Sequence, residues 1–174
     1  AGVDLHTAGA FDQTLFRKGV LNVRPAESEQ IRFWGHVLVA EDAFTSQILI
    51  RKLLEKYGLE VTIAADGRQT VQQVLTCSYD LILMDMHMPE MNGYDATRLL
   101  REQGCVIPII ALTASAMKSD EAECLQAGCD AYLTEPIQRA ELIKMLKQYL
   151  LFEQTSAEAD PSMQTGIVQE EPPA

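Results

Sequence analysis

The sequence predicts an α/β fold, a (βα)5 three-layer sandwich around a parallel sheet, and three observations carry that reading. From His36 onward, short apolar runs alternate with segments of helical period. The run Leu81-Ile82-Leu83-Met84 contains no polar position, as expected of a strand covered by helices on both faces. It stops at a carboxylate, Asp85, followed by the turn-forming stretch Pro89-Glu90-Met91-Asn92-Gly93. The carboxyl edge of such a sheet is where open α/β folds place ligands.

The strands are expected at Val37–Ala40, Glu60–Ala64, Leu81–Met84, Ile107–Leu112 and Ala131–Leu133. Between the first two, Ile50, Leu53, Leu54 and Tyr57 fall at i, i+3, i+4 and i+7, the stripe of an amphipathic helix. Val71, Val74 and Leu75 mark a shorter second helix, and Asn92-Gly93 opens a third that runs through Leu99 and Leu100. Lys118 to Ala127 forms a fourth, with Gly128 as its C-cap, and Leu142, Met145, Leu146 and Tyr149 repeat the helical stripe in a fifth. Right-handed crossovers leave the flavodoxin-like strand order 2-1-3-4-5 as the expected topology.

The chain of 174 residues, 47% hydrophobic, suffices for one such domain with flanks. Residues 1–34 read as an N-terminal linker or extension with a short helix around Phe11 to Val20, residues 35–152 as the domain, and 153–174 as a disordered tail with five acids, three prolines and no Lys or Arg. No signal peptide or membrane span is expected, so the chain is placed in the cytoplasm without direct membrane contact. A net charge of -11 argues against nucleic acid, which needs a basic face, and favours cations and basic protein surfaces. The four cysteines lack CxxC spacing and are expected as reduced, mostly buried thiols.

Three strand ends converge on one edge: Glu41-Asp42 after the first, Asp85 after the third, Thr113 after the fourth. Asp42 and Thr113, each alone, are better explained as helix or loop caps, whereas Asp85 at the end of an apolar strand is harder to dismiss. Together they point to chemistry, because clustered carboxylates repel and a hard cation such as Mg2+ relieves them. Asp85 then reads as a nucleophile for a phosphoryl group, with the Thr113 hydroxyl placed to hydrogen-bond a phosphoryl oxygen. His6 and His36 have no chemical neighbours in sequence, and Met84, Met86, Met88 and Met91 are packing.

On these residues, and on Leu112-Thr113-Ala114 and Gly128-Cys129-Asp130-Ala131-Tyr132-Leu133-Thr134-Glu135-Pro136, residues 35 to about 152 resemble the receiver domain of two-component response regulators and hybrid histidine kinases. The resemblance covers about two thirds of the chain. It implies that Asp85 accepts a phosphoryl group from a phosphohistidine, that Glu41, Asp42 and Asp85 hold Mg2+ with the backbone carbonyl of His87, and that Thr113 and Tyr132 form a switch pair. It implies a histidine kinase or a histidine phosphotransfer domain as partner, with output through residues 117–150. The same face, made of the fourth helix, fifth strand and fifth helix, is one through which homodimers are conceivable. The Asp85 motif looks most like receivers attached to hybrid sensor kinases, and residues 1–34 would then lead from a kinase core.

One position departs from the family. Where it carries a lysine before the proline of the fifth loop, this chain has Glu135. Three readings follow: Glu135 is turned out to solvent, it enlarges the acidic cation site, or the domain is a phosphorylation-impaired pseudo-receiver acting as an interaction module. A haloacid-dehalogenase-type phosphate hydrolase also uses a strand-end Asp with Mg2+ but needs an acid at the position of His87. A flavodoxin-like cofactor binder is disfavoured because Glu41-Asp42 would repel its phosphate.

Overall fold

The computed structural model describes residues 30–114 and 117–155. Its central sheet is parallel and five-stranded. Numbered in chain order, β2 (His36–Ala40), β3 (Glu60–Ala64), β4 (Leu81–Asp85), β5 (Ile109–Thr113) and β6 (Ala131–Thr134) lie in the order β3-β2-β4-β5-β6. Counting from β2, this is the expected 2-1-3-4-5. Helices α1 (Phe44–Lys56), α2 (Gly67–Thr76), α3 (Gly93–Glu102), α4 (Lys118–Ala127) and α5 (Arg139–Tyr149) fill the crossovers.

The sheet makes two cores because successive strand residues face opposite sides. Val37, Val39, Leu81, Leu83, Ile110 and Leu112 pack against Ile50 and Leu54 of α1 and Leu142 and Leu146 of α5. Leu38, Ala40, Ile82, Met84, Ile109 and Ala111 pack on the other side against Val71, Ala96, Leu100 and Cys124 of α2, α3 and α4. All five residues of β4 and of β5 are buried, which explains their lack of alternation in sequence.

Local chemistry sets the helix ends. The Asp66 carboxylate accepts from the Gln69 N–H at 2.8 Å, and the Asn92 side chain accepts from the Asp95 N–H at 2.8 Å, so each caps one otherwise unpaired donor. Helix α4 ends on Gly128 at φ 108°, where Gly128 N–H reaches the Leu125 carbonyl and Cys129 N–H the Cys124 carbonyl, the paired bonds of a Schellman turn. At the sheet end away from Asp85, Arg101 ties α3 to the following loops. Its guanidinium donates to the carbonyls of Gly128, Cys105 and Ile107 and to Asp130.

Two boundaries expected from sequence shift outward. Residues 30–34, assigned to the extension, form strand β1 (Gln30–Trp34), and residues 153–155, assigned to the tail, belong to strand β7 (Leu151–Thr155). The two pair antiparallel, Gln30 opposite Thr155 and Trp34 opposite Leu151. The ribbon is anchored by Phe33, which is fully buried in the α1/α5 core, contacts the rings of Tyr57 and Phe152, and donates its N–H to the Tyr57 carbonyl at 2.8 Å. On α5, Lys147 covers the Phe152 ring and donates to Gln154. The short helix expected at Phe11–Val20 and the remainder of the acidic tail lie outside the described residues. Of the four free cysteines, Cys124 and Cys129 are buried, whereas Cys105 is half-buried and Cys77 exposed.

Phe33→Ala removes a fully buried ring. It is expected to cost about 3–5 kcal/mol of unfolding free energy, read as a lower urea midpoint. Trp34→Ala, on the more exposed side of the same strand, moves the midpoint far less. Equal effects would mean that the ribbon is not anchored through Phe33.

Candidate functional site

Asp85 is the last residue of β4 and only 9% exposed. Its Oδ1 accepts from the His87 N–H at 2.9 Å, which fixes the carboxylate against the loop that follows. That loop folds tightly back: Met86 N–H donates to the Leu112 carbonyl and Gly93 N–H to the Met86 carbonyl. A Cβ on Gly93 would sit 2.3 Å from the Asp85 carbonyl oxygen, so no other residue fits there without moving the end of β4. The same loop carries Glu90 at φ 64°, a left-handed conformation uncommon for a residue with a side chain.

Glu41 and Asp42 follow β2, the neighbour of β4 in the sheet. Glu41 is 3% exposed, and its carboxylate accepts from the Ala43 N–H at 2.9 Å while its carbonyl accepts from the Gln47 side chain at 2.7 Å. Asp42 is exposed. Carboxylate oxygens of Glu41, Asp42 and Asp85 lie within 4.8 Å of one another. Burial pushes the Glu41 carboxyl up from 4.5 to about 7, helped by the charges of Asp85, Glu135 and Asp42 and opposed by the Ala43 N–H. Asp85 is raised as well, by burial first and then by Asp42, against the His87 N–H.

Thr113 ends β5 and is 1% exposed. Tyr132, on β6, is half-buried; it stands opposite Ala111 in the ladder, while Thr113 stands opposite Thr134. Tyr132 and Thr113 are therefore diagonal neighbours on one face of the sheet, within reach of an aromatic side chain. The Tyr132 hydroxyl donates to the Glu121 carboxylate of α4 at 3.2 Å. Glu121 was not singled out by sequence reasoning, since no local pattern pairs a helix glutamate with a strand tyrosine 11 residues on.

Glu135 follows β6, its N–H donating to the Thr113 carbonyl at 2.8 Å. It is half-buried, and its carboxyl is raised by burial and then by the negative charge of Asp85. Glu135 in turn contributes to the rise at Glu41. His87, exposed, stands edge-on to the Tyr94 ring. Beside Glu135, a groove of about 250 Å3 is lined by Ser46, Leu49, Ile50, Leu53, Pro136 and Ile137. Phe44 and Leu49 of α1 are exposed next to it.

The donor set at the edge is all oxygen and mostly carboxylate, the chemistry that suits a small hard cation such as Mg2+ rather than a soft metal. Glu41, Asp42 and Asp85 have the proximity that binding one ion requires. No described helix is long and apolar enough to cross a membrane.

Residues 37–147 match the response regulator receiver domain family. A hybrid signal transduction histidine kinase of Dictyostelium discoideum is 46% identical over 110 residues, 58% of this chain and 6% of that protein. The chain therefore spans a small part of that relative. Among solved structures, the receiver domain of a sensor histidine kinase from Pseudomonas aeruginosa PAO1, with a magnesium ion coordinated in its active-site cleft, is 44% identical, with a TM-score of 0.62 over 66% of this chain and 96% of that one. A receiver domain of a Saccharomyces cerevisiae response regulator, crystallised with its histidine phosphotransfer protein, is 26% identical, with a TM-score of 0.63 over 68% of this chain and 90% of that one.

The raised Glu41 carboxyl has a signed consequence. Between 4.5 and about 7 the unfolded chain has released a proton that the folded protein retains. Folding stability from this group therefore falls as pH rises through that window and levels off above it. In chelator-treated protein, wild type is expected to lose thermal stability relative to Glu41→Gln across that range, and Mg2+ above pH 7 is expected to restore part of the loss. A constant difference between the two proteins would contradict the assignment.

Proposed function

Because the chain belongs to the response regulator receiver domain family, we propose that it works as the phosphoacceptor of a two-component phosphorelay, with Asp85 as the accepting residue. The observation that carries this reading is the convergence of Glu41, Asp42 and Asp85 at the carboxyl edge of the sheet. An Asp85 carboxylate oxygen forms a bond to phosphorus as the bond from phosphorus to the donor imidazole nitrogen breaks. The product is an aspartyl phosphate, and the departing imidazole takes up a proton from water.

Each neighbour has a distinct task in this reading. The His87 N–H holds one Asp85 oxygen in place and leaves the other to attack. Glu41, Asp42 and Asp85, with the His87 carbonyl, would hold Mg2+, which supplies positive charge against the repulsion between carboxylate and phosphoryl oxygens. Thr113 donates its hydroxyl to a phosphoryl oxygen, and Tyr132 follows it as the switch aromatic. The donor is a protein phosphohistidine, on a histidine kinase or a phosphotransfer domain. The exposed Phe44 and Leu49 beside the site give such a protein an apolar foothold.

A second reading, a pseudo-receiver that acts by contact alone, is favoured by one observation: Glu135 carries the sign opposite to the family lysine, and the charge of Asp85 helps raise its half-buried carboxyl. Two charges about 4 Å apart near a surface interact by roughly 4 kcal/mol before screening, so this exchange weighs against the phosphorylated state. We place the balance on transfer that is retained but slowed.

Incubation with a small phosphoryl donor and Mg2+, followed by mass spectrometry, separates the two. Wild type is expected to gain one phosphoryl group, Asp85→Asn none, and Glu135→Lys to gain it about tenfold faster, which corresponds to about 1.4 kcal/mol of the charge reversal surviving solvent screening. Equal rates for wild type and Glu135→Lys would remove the slowing attributed to Glu135. Uptake by Glu135→Lys alone would establish the second reading.

A further inference from the structure

The structure tethers the Tyr132 ring through its hydroxyl. Its diagonal neighbour on the sheet face is the buried Thr113, at the acceptor edge. Its hydroxyl is bonded the other way, to the Glu121 carboxylate in the first turn of α4. The ring packs partly against the α2/α3/α4 core, so it is positioned as well as tethered. The bond joins a strand to a helix that shares the loop following Thr113. A single side chain therefore couples the acceptor edge, β6 and α4.

We propose that Glu121 is the latch that holds Tyr132 away from Thr113 and so sets the resting position of the switch. The inference rests on the phosphoacceptor reading for its consequence, and on geometry alone for the latch itself. If Tyr132 turns toward Thr113, its hydroxyl must leave Glu121, and a carboxylate acceptor makes that bond stronger than a neutral one. The resting state is favoured by the same amount, because a population can shift only by the difference in contacts between its two states. Glu121 is thus a positioning residue acting through Tyr132.

The latch also shapes a surface. A groove of about 570 Å3 between α4, β6 and α5 is lined by Glu121, Leu125, Tyr132, Glu141, Lys144 and Met145. The Tyr132 ring is one wall, so unlatching changes the groove a partner would meet. The charge on Glu141 also faces Tyr132, and with Glu121 it raises the phenol above its usual range.

The test uses the full chain labelled with fluorotyrosine, the Tyr132 signal being assigned by its loss in Tyr132→Phe. Without any phosphoryl mimic, Glu121→Ala is expected to move the Tyr132 signal, and Glu121→Gln, which keeps an acceptor, to leave it near the wild-type position. With Mg2+ and beryllofluoride, Glu121→Ala is expected to bind the mimic about threefold to tenfold more tightly, whereas in a Tyr132→Phe background the same substitution changes nothing. An unmoved signal and unchanged affinity in Glu121→Ala would overturn the latch, and so would an equal gain in the Tyr132→Phe background. Failure of wild type and variants alike to bind the mimic would overturn the phosphoacceptor reading instead, while the fluorine signal still decides the latch.

Discussion

Carboxylates that repel one another are held together at one edge of the sheet. Glu41, Asp42 and Asp85 share a space of less than 5 Å, two of them almost wholly buried. Left to itself, a chain would separate such groups, since burial and like charge both disfavour the ionised form. They stay together because each is fixed by something larger than the site. Adjacent parallel strands β2 and β4 bring the strand ends side by side, and the N–H groups of Ala43 and His87 orient the Glu41 and Asp85 carboxylates.

The fold bears this strain through its two cores. Each face of the sheet is sealed by its own helices, so strand ends cannot slide without opening one core or the other. The glycines at this edge serve the same end. Gly93 lets the loop after Asp85 press against the strand, and a Cβ at Gly67 would lie 2.5 Å from the Met91 carbonyl oxygen of that loop. A site assembled this rigidly stores electrostatic tension, and a cation or a rearrangement of charge is the natural way to relieve it. Glu135 adds a further carboxyl from the β6 side, and its charge contributes to the rise at Glu41.

Much of this was legible in the sequence, for physical reasons. The wholly apolar run ending at Asp85 announced a strand covered on both faces, and the regular alternation of strands and helices left few topologies. Asp85, Glu41, Asp42 and Thr113 could be placed on one edge because position along a parallel strand decides which end a residue reaches. The β1–β7 ribbon was not legible: its strands are far apart in sequence and mix charged with apolar residues, so nothing local marks them as partners. The Glu121–Tyr132 bond was hidden for a similar reason: it depends on side-chain direction, which spacing along a chain does not encode.

The fold gathers three carboxylates within 4.8 Å at one sheet edge, the proximity that one cation needs. The most direct measurement is anomalous diffraction from crystals grown with Mn2+, a hard divalent ion that takes the same oxygen ligands as Mg2+. One anomalous peak is expected at the sheet edge, with oxygens of Glu41, Asp42 and Asp85 in its coordination sphere, and it is lost in Asp85→Ala. A peak that forms elsewhere, or that persists in Asp85→Ala without change, would contradict that expectation.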